Sequence, residues 1–184
     1  GLGGRFDATN VIARPALSVI TPVSLDHQEF LGTDLRQIAR EKAGICKFGV
    51  PVVVGNQVDD AEAAILDEAA KVGAPAFVWG RDYNAYIQHG RLIYEDESRV
   101  WDLPAPGLLG PHQILNAGAA AAAAAVLQWP ESAAAAGIAN ATWPARLQSI
   151  TRGPLGEIAR KAGAELWLDG GHNEAAAKAL SHAL

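Results

Sequence analysis

Short apolar segments alternate with helical segments through the amino-terminal part of the chain, and this alternation constrains the fold most. Three runs have the length and composition of buried strands: residues 17–21, 50–55 and 76–79. An amphipathic helical segment follows the first run, where Thr33 or Asp34 can cap it and Gly44 can stop it. A second helical segment follows the next run. Strands that alternate with helices predict an α/β fold, with a mostly parallel sheet covered by helices on both faces.

Later segments are shorter strands and alanine-rich helices. The alternating runs at residues 85–87 and 91–94 predict a small antiparallel hairpin. Residues 112–127 contain a long alanine tract. Because alanine has the highest helix propensity and little bulk, we expect a helix there that packs very close to its neighbours. A further helix is predicted at residues 131–141.

A strand, a glycine turn and a final helix are predicted near the carboxyl end, with the strand at residues 164–169. We place a domain boundary at Gly153 and Pro154. The predicted organisation is a central domain, residues 1–150, followed by the start of a second α/β domain, residues 151–184.

Composition and charge exclude several classes of function. The 184 residues are 49% hydrophobic with a net charge of −5, which indicates an ordinary folded core and argues against a nucleic-acid interface. Cys46 is the only cysteine, so an internal disulfide and a cysteine-rich metal site are excluded and a reducing compartment is favoured. The alanine tract is too short for a membrane span of ~20 residues. We therefore expect a monomeric cytoplasmic protein with no nucleic-acid or membrane partner.

Lys42 lies on the apolar stripe of the first predicted helix, with Leu35, Ile38 and Ala39 at helical spacing. A buried ammonium is costly unless it is paired or neutralised. Lys42 is therefore a snorkelling side chain, a salt-bridge partner or a chemically used residue. His27 follows the first strand, where a neutral imidazole can reach a metal ion at the carboxyl edge of the sheet; a satisfied loop histidine is the alternative.

Several motifs occur in the order and spacing of a known family. They are GLGGRFDATN at residues 1–10, LDHQEFLG at 25–32, IAREKAGI at 38–45, GPHQ with NA at 110–117, WPARLQ at 143–148 and LDGGHN at 168–173. Together they resemble folylpolyglutamate synthase/dihydrofolate synthase, a branch of the Mur ligase superfamily, from its central domain into its carboxy-terminal domain. The resemblance spans nearly the whole chain and is weakest between residues 56 and 109.

The resemblance implies an ATP-dependent amide ligase that adds L-glutamate to dihydropteroate or to reduced folates through an acyl phosphate, with Mg²⁺ as cofactor. The matching positions carry these implied roles: carbamylation and catalysis for Lys42, catalysis for His172, metal binding for His27, ATP binding for Asn116, Arg146 and Asp169, and pterin contact for Phe6, Asp7 and Ala8.

Three of the matching positions need a further comment. Asp7 can instead form a turn with Thr9 that merely fixes the loop, and Asn116 can instead cap the alanine-rich helix. Ala145 stands where the family usually has glycine.

One part of the chemistry is missing from the sequence. No G-x-x-x-x-G-K-[ST] phosphate loop occurs, and the family places that loop, with a magnesium-binding glutamate, upstream of Gly1. The chain also contains no methionine. We therefore expect a piece of a longer enzyme that is inactive alone. The alternatives are another Mur-type ligase, for a peptidoglycan precursor or cyanophycin, and a noncatalytic module that binds a nucleotide or a pterin.

Overall fold

Three parallel strands form the centre of the molecule in the order β1-β2-β3. The computed structural model describes residues 3–25 and 28–183. The strands are β1 (Ser18–Ile20), β2 (Val52–Val54) and β3 (Ala76–Val78). Ser18 lies opposite Val52, and Val52 lies opposite Ala76. The three predicted strands and their parallel arrangement are confirmed, with each strand shorter than its apolar run.

Helices connect these strands. The connecting helices are α1 (Gln28–Leu31) and α2 (Leu35–Ala43) between β1 and β2, and α3 (Asp59–Val72) between β2 and β3. Asp34 caps α2, as predicted, because its side chain accepts a hydrogen bond from the Arg36 backbone N–H at 2.9 Å. α2 ends at Gly44, also as predicted.

Both faces of the parallel sheet are buried. Val52 and Val54 belong to one apolar core, with residues of α2 and α3. Val53 faces the opposite side and belongs to a second core, with the alanine-rich helix α4 (His112–Val126). All three valines are 0% exposed. The predicted covering of the sheet on both faces is therefore confirmed, and it explains why β2 consists of apolar residues alone.

An antiparallel sheet follows β3. Its strands are β4 (Tyr83–Gln88), β5 (Arg91–Asp96) and β6 (Arg99–Leu103), in that order. β4 and β5 are the predicted hairpin, but the prediction omitted β6. Trp101 and Leu103 of β6 are 7% and 0% exposed, and Trp101 packs against Tyr94 with ring centroids 5.2 Å apart. These inward residues alternate with the exposed Val100 and Asp102, which is a strand pattern.

The helices α4 and α5 (Glu131–Ala139) pack against this sheet. At Gly118 of α4, a Cβ atom would lie 2.6 Å from Cζ3 of Trp79 and 2.7 Å from Cβ of Ala85. These distances are shorter than van der Waals contact, so α4 approaches its neighbours as closely as its small residues allow. The predicted close packing is confirmed. Within the described ranges, no helix combines the length and the hydropathy that crossing a bilayer requires.

The carboxyl-terminal region, residues 145–183, has short elements. They are β7 (Gln148–Ser149), α6 (Gly153–Lys161), β8 (Trp167–Leu168) and α7 (Glu174–Ser181). The strand predicted at residues 164–169 was too long, because only the residues opposite β7 form an antiparallel pair. Gly153 and Pro154 lie in the first turn of α6, so β7 and β8 pair across the predicted boundary. Among residues 151–183 whose burial is described, Gly156 is the only buried one.

Candidate functional site

A cleft of about 730 Å³ opens between the carboxyl end of β1, the first turns of α4 and the loops that flank β7 and β8. Open α/β folds bind ligands at the carboxyl edge of their parallel sheet. Four of the residues predicted for the site line this cleft: Asn116, Arg146, Asp169 and His172. The fold therefore brings together residues from three separate sequence motifs.

The first turns of α4 supply an amide-rich wall of the cleft. Gln113 is 5% exposed, and its Oε1 accepts a hydrogen bond from Asn116 Nδ2 at 3.0 Å. Residues three apart on a helix lie on the same face, so α4 presents both amides to the cleft. A side-chain amide both donates and accepts hydrogen bonds, which suits it to the edge of a heteroaromatic base. The alternative role of Asn116 as a cap is wrong, because α4 begins at His112 and Asn116 lies in its second turn.

His112 and Gln113 are cleft residues that were quoted in a motif but not assigned a role. His112 Nε2 lies 3.0 Å from Gln113 Nε2, so the imidazole accepts a hydrogen bond from the amide. Burial holds the pKa of His112 below its ordinary value of 6.5, while Asp169 acts in the opposite direction and Arg146 in the same direction as burial. The sequence signal for both residues was their place at the start of a predicted helix. His112 lies four residues before Asn116, and Gln113 lies three residues before it.

Asp169 ties the loop after β8 to the segment before β7. Its Oδ2 accepts a hydrogen bond from the Leu147 backbone N–H at 2.8 Å, and its Oδ1 accepts one from the Gly171 N–H at 2.6 Å. The Gly170 N–H donates to the Ala145 carbonyl at 2.9 Å. Asp169 is therefore an organising residue of the cleft wall, because one carboxylate holds two backbone segments.

Arg146 is fixed through its neighbours in the chain. Ala145 and Leu147 have left-handed backbone conformations, with φ of 55° and 44°. This region costs a residue with a Cβ atom roughly 1–2 kcal/mol, which explains why glycine suits the position of Ala145. Within the described residues Arg146 forms no ion pair with Asp169, whose carboxylate accepts the two backbone N–H groups instead. The Arg146 guanidinium can therefore meet an anionic ligand in the cleft.

His172 lies in the loop between β8 and α7. Its Nδ1 is 3.0 Å from the Gly170 carbonyl oxygen, and its ring is exposed in the cleft. Asn173 follows it and caps α7, because the Asn173 Oδ1 accepts a hydrogen bond from the Ala176 N–H at 2.8 Å. The cap and the Gly170 contact together fix the backbone that presents the imidazole.

Lys42 lies at the edge of the buried stripe of α2. Ile38 and Ala39 are 0% exposed, whereas Lys42 is half-buried. With Gly3, Thr21 and neighbouring residues it lines a cavity of about 160 Å³ at the carboxyl end of β1. Among residues 3–25 and 28–183 none forms an ion pair with the Lys42 ammonium, so the salt-bridge interpretation gains no support. A snorkelling lysine and a chemically used lysine remain as interpretations.

The segment predicted to contact a pterin forms a surface turn. Phe6 is 89% exposed, and Ala8 is also exposed. Asp7 Oδ1 accepts hydrogen bonds from the Thr9 backbone N–H at 2.8 Å and from Thr9 Oγ1 at 2.6 Å. The turn with Thr9, which was the alternative interpretation of Asp7, is present. Pterin contact by Phe6, Asp7 and Ala8 stays a prediction.

The predicted metal ligand, His27, lies outside the described residues. Elsewhere in the described chain, no three residues among histidine, cysteine, aspartate and glutamate come together closely enough to hold a metal ion. Magnesium binding therefore stays a prediction.

Cys46 is unsuited to nucleophilic chemistry. The residue is 6% exposed, and burial, assisted by Glu68, raises the pKa of its thiol to about 11. Because the thiolate is the reactive form, a thiol with this pKa is inert at neutral pH.

Comparisons with known proteins agree with the motifs. Residues 3–124 match the model of the Mur ligase middle domain. Folylpolyglutamate synthase from Lacticaseibacillus casei is 40% identical over 94% of this chain and 40% of its own length. A solved complex of a folylpolyglutamate synthase (FPGS) with AMPPCP and folate superimposes with a TM-score of 0.80 at 34% identity, covering 100% of this chain and 45% of that one.

A second solved structure, FolC of Escherichia coli in complex with DHPP and ADP, gives a TM-score of 0.80 at 33% identity over 98% of this chain and 40% of that chain. The chain spans about two fifths of the length of the folylpolyglutamate synthases from Lacticaseibacillus casei and Bacillus subtilis that it matches. The family model covers most of the chain, and the motifs, the fold and the relatives agree. The chain belongs to the Mur ligase middle-domain family, in the branch of the folylpolyglutamate and dihydrofolate synthases.

Proposed function

We propose that this chain is part of an ATP-dependent amide ligase that adds L-glutamate to dihydropteroate or to folates through an acyl phosphate. The observation that carries the proposal is the cleft in which Asn116, Arg146, Asp169 and His172 meet beside the carboxyl end of β1. Solved structures of similar proteins hold AMPPCP with folate, and ADP with DHPP. These relatives favour a folate ligase over a peptidoglycan-precursor or cyanophycin ligase.

The cleft offers the groups that a nucleotide needs. The amides of Gln113 and Asn116 can donate to and accept from the edge of the base. The Arg146 guanidinium supplies positive charge for phosphate oxygens. Asp169 holds the two backbone segments of the carboxyl-terminal wall that carry Arg146 and His172, so it acts toward ATP by positioning Arg146 as well as through its own carboxylate.

The proposed reaction has two steps. A carboxylate oxygen of the pteroate or folate attacks the γ-phosphorus of ATP, and the bond between that phosphorus and ADP breaks to leave an acyl phosphate. The neutral amine of glutamate then attacks the acyl carbon, the bond to phosphate breaks, and the amine loses a proton. Arg146 stabilises the negative charge of the transferred phosphoryl group, and the imidazole of His172 is suited to take the proton.

Lys42 has a separate place in this proposal. The Lys42 ammonium would first lose a proton to give the neutral amine. When carbon dioxide adds to that amine, an N–C bond forms and a second proton leaves, so the cationic side chain becomes an anionic carbamate. The half-buried position of Lys42 beside the cavity of about 160 Å³ at the end of β1 agrees with such a modified side chain. His27 would be a ligand of the magnesium ion, which would supply positive charge at the ATP phosphates.

The experiment that tests the proposal uses the intact parent enzyme with dihydropteroate or folate, glutamate, ATP and magnesium. We expect phosphate release that depends on glutamate, and we expect Lys42→Arg and Lys42→Ala to abolish it without unfolding the protein. Arginine keeps the positive charge and cannot be carbamylated. Lys161→Arg, a change of the same kind on the exposed side of α6, serves as the control and should be fully active.

Two results would contradict the proposal at different levels. Near-normal activity of Lys42→Arg would remove the carbamate and favour a snorkelling lysine. A parent enzyme that consumes no ATP with any folate and glutamate would remove the ligase, and nucleotide binding without turnover would favour the noncatalytic module. We further expect the 184-residue chain alone to release no phosphate above a blank, because its sequence carries no phosphate loop.

A further inference from the structure

The amino-terminal loop, residues 3–10, sits in direct backbone contact with the last turn of α2. The Arg5 backbone N–H donates a hydrogen bond to the Glu41 carbonyl at 3.0 Å. Glu41 immediately precedes Lys42. The segment predicted to contact a pterin and the turn that carries the predicted carbamate are therefore joined by a main-chain hydrogen bond.

Two glycines make this contact possible. A Cβ atom at Gly4 would lie 2.5 Å from the Glu41 carbonyl oxygen and 2.6 Å from that of Lys42. A Cβ atom at Gly44 would lie 2.6 Å from Cβ and 2.8 Å from Cα of Arg5. Contacts this short are repulsive, and the atoms they meet are mostly backbone, which cannot move aside as a flexible side chain can. Gly4 and Gly44 thus allow two backbones to touch from both sides of the same contact.

Side chains also stabilise the contact between the amino-terminal loop and α2. Asn10 Nδ2 donates to the Arg5 carbonyl at 3.0 Å and to the Gly44 carbonyl at 3.3 Å, so one amide joins the two segments. The Arg5 guanidinium lies 3.8 Å from a Glu41 carboxylate oxygen and 3.3 Å from one of Glu68 on α3. These ion pairs are partly exposed and contribute little energy alone, but they restrict where Arg5 can lie.

We infer that Gly4, Gly44 and Asn10 are positioning residues, which hold the loop carrying Phe6, Asp7 and Ala8 and the turn carrying Lys42 as one rigid unit. A shared cavity supports this, because Gly3 and Lys42 both line the space of about 160 Å³ at the end of β1. The inference rests on the proposed function: the loop would hold the pterin and thereby set where the substrate carboxylate lies, and the turn would place the anion that assists phosphoryl transfer. A displacement of about 1 Å between two such groups can cost on the order of 100-fold in rate.

Asn10→Ala in the intact parent enzyme is the principal test, because it removes the bridging amide without adding any atom. Asn140→Ala is the matched control: Asn140 also donates its Nδ2 to a carbonyl, that of Ala136 at 2.8 Å, but at the end of α5. For Asn10→Ala we expect kcat/KM for dihydropteroate or folate to fall about tenfold, with KM for ATP within about twofold of wild type. Asn140→Ala should match wild type in both. Equal kinetics for the two variants would overturn the inference.

Amide hydrogen exchange of the same proteins gives a readout that does not depend on turnover. If the loop and the turn are one unit, Asn10→Ala should speed exchange in residues 3–10 and in residues 40–46 together, and leave α5 unchanged. Faster exchange in the loop alone would overturn the inference.

Gly44→Ala supplies a second kinetic variant, and Gly137→Ala, whose Cβ would meet open space, is its control. A soluble, folded Gly44→Ala enzyme with normal kcat/KM for the folate substrate would also overturn the inference. Absence of ligase activity in the wild-type parent would remove the proposed function instead, and the exchange result would then decide the structural inference alone.

Discussion

The two walls of the cleft belong to regions that are held together in different ways. The sheet region, residues 17–126, contains two apolar cores in which side chains such as Val53, Ile65 and Leu92 are 0% exposed. In the carboxyl-terminal region, residues 145–183, Leu155 and Ile158 are 67% and 63% exposed. Apolar burial therefore fixes one wall, while the other wall is held by hydrogen bonds centred on Asp169.

This difference matters because the two kinds of contact can be lost under different conditions. Full burial of a large apolar side chain contributes about 1.5–3 kcal/mol, and a core sums many such contributions. A few hydrogen bonds to one carboxylate contribute about 1.5–3 kcal/mol each at most. The amide side chains of Gln113 and Asn116 on α4 should therefore keep their positions under conditions that already displace Arg146 and His172.

The largest expected effect is a loss of stability of the sheet region. Leu92→Ala removes a side chain that is 0% exposed in the second core, and we expect a loss of about 2–5 kcal/mol in the free energy of unfolding. The same substitution at Leu155, which is 67% exposed, should change it by less than about 0.5 kcal/mol. Urea unfolding of both variants measures the contrast. Similar losses would show that the carboxyl-terminal region has a core of its own.

The next effect loosens the carboxyl-terminal wall without unfolding the sheet region. Asp169→Ala removes both hydrogen bonds that join residues 147 and 171, and we expect a local loss of about 1.5–3 kcal/mol. Exchange of the Leu147 and Gly171 amides should accelerate at least tenfold, while the amides of β2 keep their protection. Asp102→Ala, which removes an exposed partner of Arg91, is the control. Unchanged exchange at Leu147 would show that Asp169 is not the main anchor.

A smaller effect tests how tightly α4 lies on the sheet region. Gly118→Ala would force a methyl group to within 2.6 Å of the Trp79 ring, and we expect a loss of about 1–3 kcal/mol. Gly137→Ala in α5 meets open space and should stabilise the chain by about 0.5–1 kcal/mol, because alanine favours a helix more than glycine does. Thermal unfolding compares the two. Equal stabilisation would mean that α4 can move away from Trp79 freely.

The same contrast between regions explains how far the sequence could predict the molecule. The strands β1, β2 and β3 were predictable because continuous apolar runs between capped helices have few other interpretations. In the carboxyl-terminal region a strand was likewise predicted at residues 164–169, yet only Trp167 and Leu168 pair as a strand. A strand forms only where a partner offers hydrogen bonds, and periodicity carries no information about the partner.

The candidate site divides in a similar way. Asn116, Arg146, Asp169 and His172 were selected through the family motifs, and the structure brings them into one cleft. Their contacts were not predictable: the Asp169 carboxylate accepts two backbone N–H groups that lie 22 residues earlier and two residues later in the chain. The contact between Gly4 and the last turn of α2 was not predictable either. Glycine in a motif indicates that some other part of the chain packs closely against it, but the sequence does not show which part.

The smallest expected effect is a pH dependence at His112, where the two walls meet. Burial lowers the pKa of the folded-state imidazole below 6.5, so in the window just below that value the unfolded chain binds a proton and the folded chain does not. The contribution of neutral His112 to stability is therefore complete above pH 6.5 and is lost as the pH falls through that window.

Wild type should consequently lose more unfolding free energy than His112→Gln when the pH is lowered from about 7.5 to about 5.5. Asp169 opposes the effect of burial, so Asp169→Asn should lower the pKa of His112 further and steepen this loss. Urea unfolding at several pH values, with NMR titration of the His112 ring, measures both changes. If Asp169→Asn leaves the pKa of His112 unchanged, the carboxyl-terminal wall does not lie close to His112 in solution. The cleft would then be wider between His112 and Asp169 than the structure shows.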